Sequence, residues 1–166
     1  MQNAGVAEAV QELNCLAKVP DHSKNPELLK TIILILSGYL KKDNFKENDY
    51  TIELRERMLH IRVFPMIPND EASKAYPRTY KSLEDTWYIN DRTALKKAFV
   101  GKAHILDFDV QDMDRILPLI KWLGLDQLLL SKAVQERTLY LGTVQIQQGW
   151  SDSIQEKAQF IALHQA

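Results

Sequence analysis

The sequence NPELLKTIILILSGYLKK, residues 25–42, decides the fold because it predicts a long helix with a wide apolar face. Asn25 can cap the free N–H groups of the first turn, Pro26 suits that turn, and Glu27 favours the positive end of the helix dipole. The apolar face is built by Leu29, Ile32, Ile33, Leu36 and Leu40. The most apolar run, residues 32–36, is far shorter than the roughly 20 residues of a membrane span. We therefore expect a buried helix.

A second helix is predicted on the N-terminal side, over residues 4–17. Its apolar side chains share one face, since they fall four, three and three residues apart at Val6, Val10, Leu13 and Leu16. Cys15 is expected on the apolar side of this helix, as a buried and inert thiol. Together the two helices predict a helical hairpin within residues 1–45.

Four short strands are predicted further along the chain, at residues 60–66, 87–89, 103–108 and 138–146. Pro65 would confine the first strand to a sheet edge or end it, because proline has no N–H to donate. Residues 67–85 show little periodicity and contain two prolines. They indicate an irregular segment, which is a favourable place for a partner to touch.

Further helices are predicted between these strands. Residues 43–50 indicate a loop and residues 51–59 favour a helix. Carboxylates are expected to cap or open the later helices, at Asp91, Asp109, Asp112 and Asp126, and glycines to end them, at Gly101 and Gly124.

The predicted fold class is α+β, a helix-rich single domain over residues 1–166 with a small, short-stranded sheet. Its mixed α+β part spans residues 60–166. Because the helical pattern still runs at Ala166, we expect the chain to be a fragment of a longer protein.

The charge balance and the cysteine content narrow the class of protein. The chain has 21 basic and 22 acidic side chains, whereas duplex-binding domains usually carry a positive excess that neutralises phosphates. Nucleic acid is therefore an unfavoured partner. Cys15 is the single cysteine, so no internal disulfide can form, and we expect an intracellular protein, cytoplasmic or nuclear, with no membrane partner.

The chemistry-bearing residues do not form a recognisable catalytic or metal motif. The acidic stretch 107–114 fails as a calcium loop, because Asp112 stands where glycine is needed and Pro118 where glutamate is needed. An alternative enzyme hypothesis assembles a site from His60, His104, Asp107 and Asp109, with the two histidines meeting across a sheet. Three arginines suggest a local anion site or a solvated face: Arg55, Arg57 and Arg62.

Aromatic side chains are the remaining candidates for binding. Trp122 falls on an apolar helix face and is expected in the core, although tryptophan also anchors interfaces. The residues predicted to contact a protein partner are Phe64, Tyr76, Tyr80, Trp87, Tyr88 and Trp150. A further alternative, a single-stranded nucleic-acid module, would use Trp87, Tyr88 and arginines as a stacking platform.

One progression of motifs resembles a known family. The motifs are WYIND (87–91), Leu95, FVGK (99–102), ILDF (105–108), WLGL (122–125), Leu130-Ser131 and VQE (134–136). They are similar to an internal region of very large fungal proteins that carry an N-terminal GHKL-type ATPase domain and are related to sacsin and to the plant protein NO VEIN. The resemblance covers about residues 60–164.

This resemblance implies a scaffold or interdomain segment of a chaperone-like ATPase. The ATP site of such proteins lies in another domain, so no catalytic residue is carried over and no cofactor is expected here. From the sequence we therefore predict a non-enzymatic structural or protein-interaction domain. Its partner would be another protein or other domains of a larger chain.

Overall fold

The computed structural model describes residues 4–68 and 78–134. The chain divides into two compact units, residues 1–130 and 131–166, and nearly all of the described residues lie in the first. That unit is helix-rich with a small antiparallel sheet, which confirms the predicted α+β class. The predicted strand at residues 138–146 and the predicted last helix lie outside the described residues.

The central element is the helix predicted from residues 25–42. It spans Pro26–Leu40 and is the second helix, α2, after α1 at Ala4–Ala17. The Asn25 side chain accepts hydrogen bonds from the N–H groups of Glu27 and Leu28, at 3.0 and 3.2 Å. All five predicted apolar residues of α2 are buried. Burying each such side chain contributes roughly 1.5–3 kcal/mol, so α2 is the centre of the core.

Helix α1 begins and ends where it was predicted, and its residues Val6, Val10 and Leu13 are buried. Cys15 is exposed, so the prediction of a buried thiol is wrong. A separation of two residues turns the helix by about 200°, which places Cys15 on the other side from Leu13.

The third helix, α3, spans Asp49–Met58 and packs against α1. It begins inside the stretch that we predicted to be a loop. Its start is fixed by a capping box, in which Thr51 N–H donates to Asn48 Oδ1 and Asn48 N–H donates to Thr51 Oγ1, both at 2.9 Å.

Within the described part of the chain, the sheet has two short strands, fewer and shorter than predicted there. Strand β1 (Phe64–Pro65) pairs antiparallel with β2 (Tyr80–Lys81), with Phe64 opposite Lys81 and Pro65 opposite Tyr80. Strand β2 lies in the segment that we predicted to be irregular. The predicted strands at 87–89 and 103–108 contribute isolated bridges only, among them the bridge between Tyr88 and Ile105. Pro65 does not end the pairing, because the N–H of Met66 donates to the Thr79 carbonyl at 2.9 Å.

Two later helices follow, α4 at Thr93–Phe99 and α5 at Met113–Trp122. The residues at their starts, Arg92 and Asp112, make no side-chain cap, and neither does Asp109 before the short 3-10 turn Val110–Asp112. Asp109 and Asp112 nevertheless stand at the starts of the 3-10 turn and of α5, as predicted, although neither side chain caps them. The prediction for Asp91 is one residue off, because Arg92 occupies the position before α4. Asp112 instead accepts a hydrogen bond from Arg115 at 3.0 Å.

The C-terminal end of α5 follows the prediction. Gly124 has φ of 69°, and its N–H donates to the Lys121 carbonyl at 3.1 Å. The next N–H, of Leu125, donates to the Ile120 carbonyl at 2.9 Å. This pair of bonds is a Schellman motif, which requires a left-handed residue and therefore favours glycine.

Helices α2 and α5 are joined by one buried hydroxyl. Ser37 is fully buried, and its Oγ donates to the carbonyl of Arg115 at 2.6 Å. The same Oγ accepts a hydrogen bond from the N–H of Leu119 at 3.3 Å. These two groups are four residues apart in α5, in the turn that contains Pro118, and would pair with each other in a regular helix. The Ser37 hydroxyl thus bonds to both members of one helical backbone pair.

A buried lysine ties the loop before α2 to the sheet. The side chain of Lys24 is 2% exposed, and its Nζ lies 2.6 Å from Asp21 Oδ1. Nζ also donates to the carbonyl of Arg62 at 3.0 Å and lies 5.1 Å from the centroid of the Tyr80 ring. The Tyr80 hydroxyl donates to the carbonyl of Lys24 at 3.3 Å. Each polar group of this cluster therefore has a partner, as burial requires.

Candidate functional site

Three of the predicted partner-binding aromatics lie in the core. Phe64, Tyr80 and Trp87 are 1%, 1% and 0% exposed. The rings of Phe64 and Trp87 stack with their centroids 5.4 Å apart, and the indole N–H of Trp87 donates to the Ser82 carbonyl at 2.8 Å. The expectation of exposed side chains at these positions is wrong, because packing and hydrogen bonding use them inside the fold.

Of the other three predicted aromatics, only Tyr88 lies among the described residues. Tyr88 is half-buried beside Ile105, and Tyr76 and Trp150 lie outside the described residues. The stacking platform predicted for single-stranded nucleic acid needs both Trp87 and Tyr88. Because Trp87 is buried, only Tyr88 is left to stack on a base.

Two of the four residues of the enzyme hypothesis, His60 and Asp107, have separate partners. His60 is exposed and its Nδ1 lies 3.0 Å from Glu84 Oε2. Asp107 forms an ion pair with Arg78, and its Oδ2 lies 3.6 Å from Lys30 Nζ. His104 is half-buried and Asp109 is exposed. Within residues 4–68 and 78–134, no three His, Cys, Asp or Glu side chains are placed to hold a metal ion.

The three arginines also do not converge. Arg55 Nη1 lies 2.6 Å from Glu47 Oε1 and donates to the Trp122 carbonyl at 3.2 Å. Arg62 Nε donates to the Tyr80 carbonyl at 3.2 Å. Arg57 alone of the three lines a groove, and it does so from the surface of α3.

That groove, which we call the α1–α3 groove, has a volume of about 500 Å³. Its lining residues come from both helices: Ala7, Val10, Gln11, Asn14, Lys18, Tyr50, Leu54 and Arg57. The floor is apolar, since Val10 and Leu54 are 1% and 3% exposed. Tyr50 is 50% exposed, so a large aromatic side chain is available to a ligand at the wall.

The helical periodicity explains why these residues share the groove. On α1, lining positions 7, 11 and 14 are separated by four and three residues, which places them on one face, and Lys18 directly follows the last residue of the helix. On α3, positions 50, 54 and 57 are separated by four and three. The acidic residues Glu8 and Glu12 lie roughly 100° or more around α1 from Ala7. On α1 the lining stripe is therefore without carboxylates, whereas on α3 the carboxylate of Glu53 pairs with the lining residue Arg57.

A second groove lies beside the C-terminal end of α2, and we call it the Trp122 groove. It has a volume of about 530 Å³ and is lined by Leu40, Lys41, Phe45, Glu47, Asp114, Leu117, Pro118, Lys121 and Trp122. Its charges are of both signs. Trp122 is only 8% exposed, as expected of a core residue, and its indole N–H has no hydrogen-bond partner in the described part of the chain.

Sequence reasoning missed the α1–α3 groove. It placed Tyr50 in a loop, although α3 begins at Asp49. The signal that could have found one wall is local. Asn48 and Thr51 have capping-box spacing, and Tyr50, Leu54 and Arg57 are four and three residues apart, as on one face of a helix. The opposite wall comes from a helix more than 30 positions earlier in the sequence, which no local pattern connects.

The fold and this groove define a helix-rich α+β domain with a surface cleft between two helices. The family model for a domain of unknown function, DUF8348, matches residues 7–134. The chain therefore belongs to the DUF8348 family, and both walls of the α1–α3 groove lie inside the matched region. No curated protein and no solved structure is significantly similar to the chain. Among the described residues, no helix has the length and apolarity needed to cross a bilayer.

Proposed function

We propose that this domain is a non-enzymatic protein-interaction domain that binds a polypeptide segment in the α1–α3 groove. The observation that carries the proposal is the half-exposed Tyr50 in the wall of a groove between two helices, which the partly exposed Ala7 also lines. Ligand sites commonly combine an apolar floor with a few polar groups, and tyrosine and arginine are enriched among the residues that dominate binding energy.

The arrangement of polar groups supports binding over catalysis. Ser37, Lys24 and Asp107 each contact a structural partner. Catalysis needs a nucleophile or base held against a second group that orients it. The α1–α3 groove offers two amides, one phenol and two cations instead, a set suited to recognition.

The resemblance to the internal region of GHKL-type ATPase proteins adds a cellular setting to this proposal. In that setting the domain is a scaffold segment whose partner is another domain of a longer chain or a separate protein. This part of the proposal rests on the motif progression alone.

The test is a selection of random 16-residue peptides on the immobilised chain, followed by affinity measurement with fluorescence polarisation. We expect the selected peptides to bind Tyr50→Ala at least about tenfold more weakly, a loss of about 1.4 kcal/mol. The matched control is Ile35→Ala, because Ile35 is 48% exposed on α2 and does not line the groove. If no peptide is selected, or if Tyr50→Ala and Ile35→Ala bind alike, the α1–α3 groove is not a polypeptide site.

A further inference from the structure

The charges of the α1–α3 groove have a single sign. Lys18 and Arg57 are the charged residues among its lining side chains. The Trp122 groove has a similar volume but is lined by two lysines and two carboxylates, so its charges cancel. The α1–α3 groove therefore favours a ligand with negative charge.

The lining residue Arg57 already pairs with one carboxylate, that of Glu53, but this ion pair is exposed and weak. Glu53 Oε1 lies 2.6 Å from Arg57 Nη2, and the two side chains are 57% and 55% exposed. Exposed pairs of this kind contribute roughly 0–1 kcal/mol. An incoming carboxylate can therefore take the place of Glu53 with little loss of stability.

The shape of the groove determines the form of the ligand. Its walls are the ridges of two packed helices, with side chains at separations of three and four residues along each. A third helix packs naturally into such a groove, because its own rows of side chains have the same spacing. Amphipathic helices bind other proteins in this way, through apolar anchors at one face.

We propose that the α1–α3 groove receives an acidic amphipathic helix of a protein partner, an inference that rests on the proposed function. Apolar side chains of the partner contact the Tyr50 ring and Ala7, the apolar lining residues that are at least partly exposed. Its flanking carboxylates pair with Lys18 and Arg57. The amide side chains of Gln11 and Asn14 also line the groove and add hydrogen-bonding groups without adding charge, although Asn14 Nδ2 already donates to the Val10 carbonyl at 3.0 Å.

The experiment uses the peptides selected on the wild-type chain and a charge-reversed variant, Lys18→Glu with Arg57→Glu. We expect the selected peptides to be rich in Asp and Glu and to bind this variant at least about tenfold more weakly. The matched control is Lys41→Glu with Lys121→Glu, which makes the same charge change in the Trp122 groove and should leave affinity unchanged. A proline placed in the middle of a selected peptide should abolish binding, because it breaks a helix.

The outcomes separate this inference from the proposed function. Peptides that depend on Tyr50 but lack acidic residues and tolerate charge reversal would overturn the acidic partner and leave the polypeptide site standing. Equal losses of affinity in both charge-reversed variants would also overturn the acidic partner, because the overall charge of the domain, and not the two cations of the α1–α3 groove, would then explain binding. Peptides that keep their affinity with the inserted proline would refute the helical form. An oligothymidylate that binds the groove as tightly as the peptides would assign it to nucleic acid instead.

Discussion

Two glycines of the helical hairpin should respond in opposite ways to the same substitution. Gly38 lies in α2, and a Cβ added there would meet nothing within 4 Å. Glycine in a helix interior is less stable than alanine by roughly 0.5–1 kcal/mol, because the glycine backbone loses more freedom on folding. We expect Gly38→Ala to raise the free energy of unfolding by about this amount.

Gly5 lies in α1 against the ring of Tyr39, where the structure leaves no room for a methyl group. An added Cβ would lie 2.6 Å from Tyr39 Cζ and 2.7 Å from Cε1. The ring would have to move away and give up its packing on α1, including its place below the Lys42 ammonium group, 4.6 Å from the ring centroid. Overpacking of this kind costs about 1–3 kcal/mol, which exceeds the helix gain, so we expect Gly5→Ala to lower the free energy of unfolding by about 1 kcal/mol.

The measurement is urea unfolding followed by far-ultraviolet circular dichroism, with the wild-type chain and both variants at the same pH and salt. The urea dependence of the free energy should be the same in all three, so that the midpoints report stability. A Gly38→Ala variant less stable than the wild type would refute the reasoning, because it would reveal a contact at Gly38 that the structure does not contain. Two shifts of the same sign would refute the argument from Tyr39.

Two further predictions concern polar groups that hold the core together. Ser37→Ala should lower the free energy of unfolding by about 0.5–1.5 kcal/mol, because it removes the hydrogen bonds of Oγ with the Arg115 carbonyl and the Leu119 N–H. Ser23→Ala, at an exposed position, should change it by less than about 0.5 kcal/mol, and equal effects in urea unfolding would contradict this role for Ser37. The N–H and the hydroxyl of Ser82 donate to Asp85 Oδ2, and these hydrogen bonds lower the pKa of Asp85. The ionised Asp85 therefore stabilises the fold at pH values above its ordinary pKa of about 3.9. This stabilisation is lost as the pH falls through the lowered pKa. The wild type should therefore be more stable than Asp85→Asn at pH 7, and the difference should vanish near pH 2. If thermal unfolding shows the same difference at both pH values, the stabilising role of the ionised Asp85 is contradicted.

The sequence predicted the helical hairpin well, because its signals are local. The bounds of α1, the cap at Asn25 and the buried face of α2 depend on residues at most one or two turns apart. Gly124 was found for the same reason, since a left-handed residue at a helix end is a local requirement.

Features that depend on distant partners were predicted less well. The three predicted strands that fall within the described residues shrink to two residues or to bridges, because pairing depends on segments far away in the sequence. The exposure of Trp87 could not be inferred from its type, since an aromatic ring serves a core and an interface equally well. The α1–α3 groove was missed because it needs two helices side by side, although Arg57 was noted as a candidate anion ligand.

The buried Lys24 offers a natural reporter of local opening. Its ammonium group is enclosed by Asp21, the Arg62 carbonyl and the Tyr80 ring, so amine-reactive reagents and acetylating enzymes can reach it only when the loop before α2 separates from the sheet. The rate at which Lys24 is labelled, relative to the exposed Lys41, therefore measures how often this junction opens while the rest of the domain stays folded.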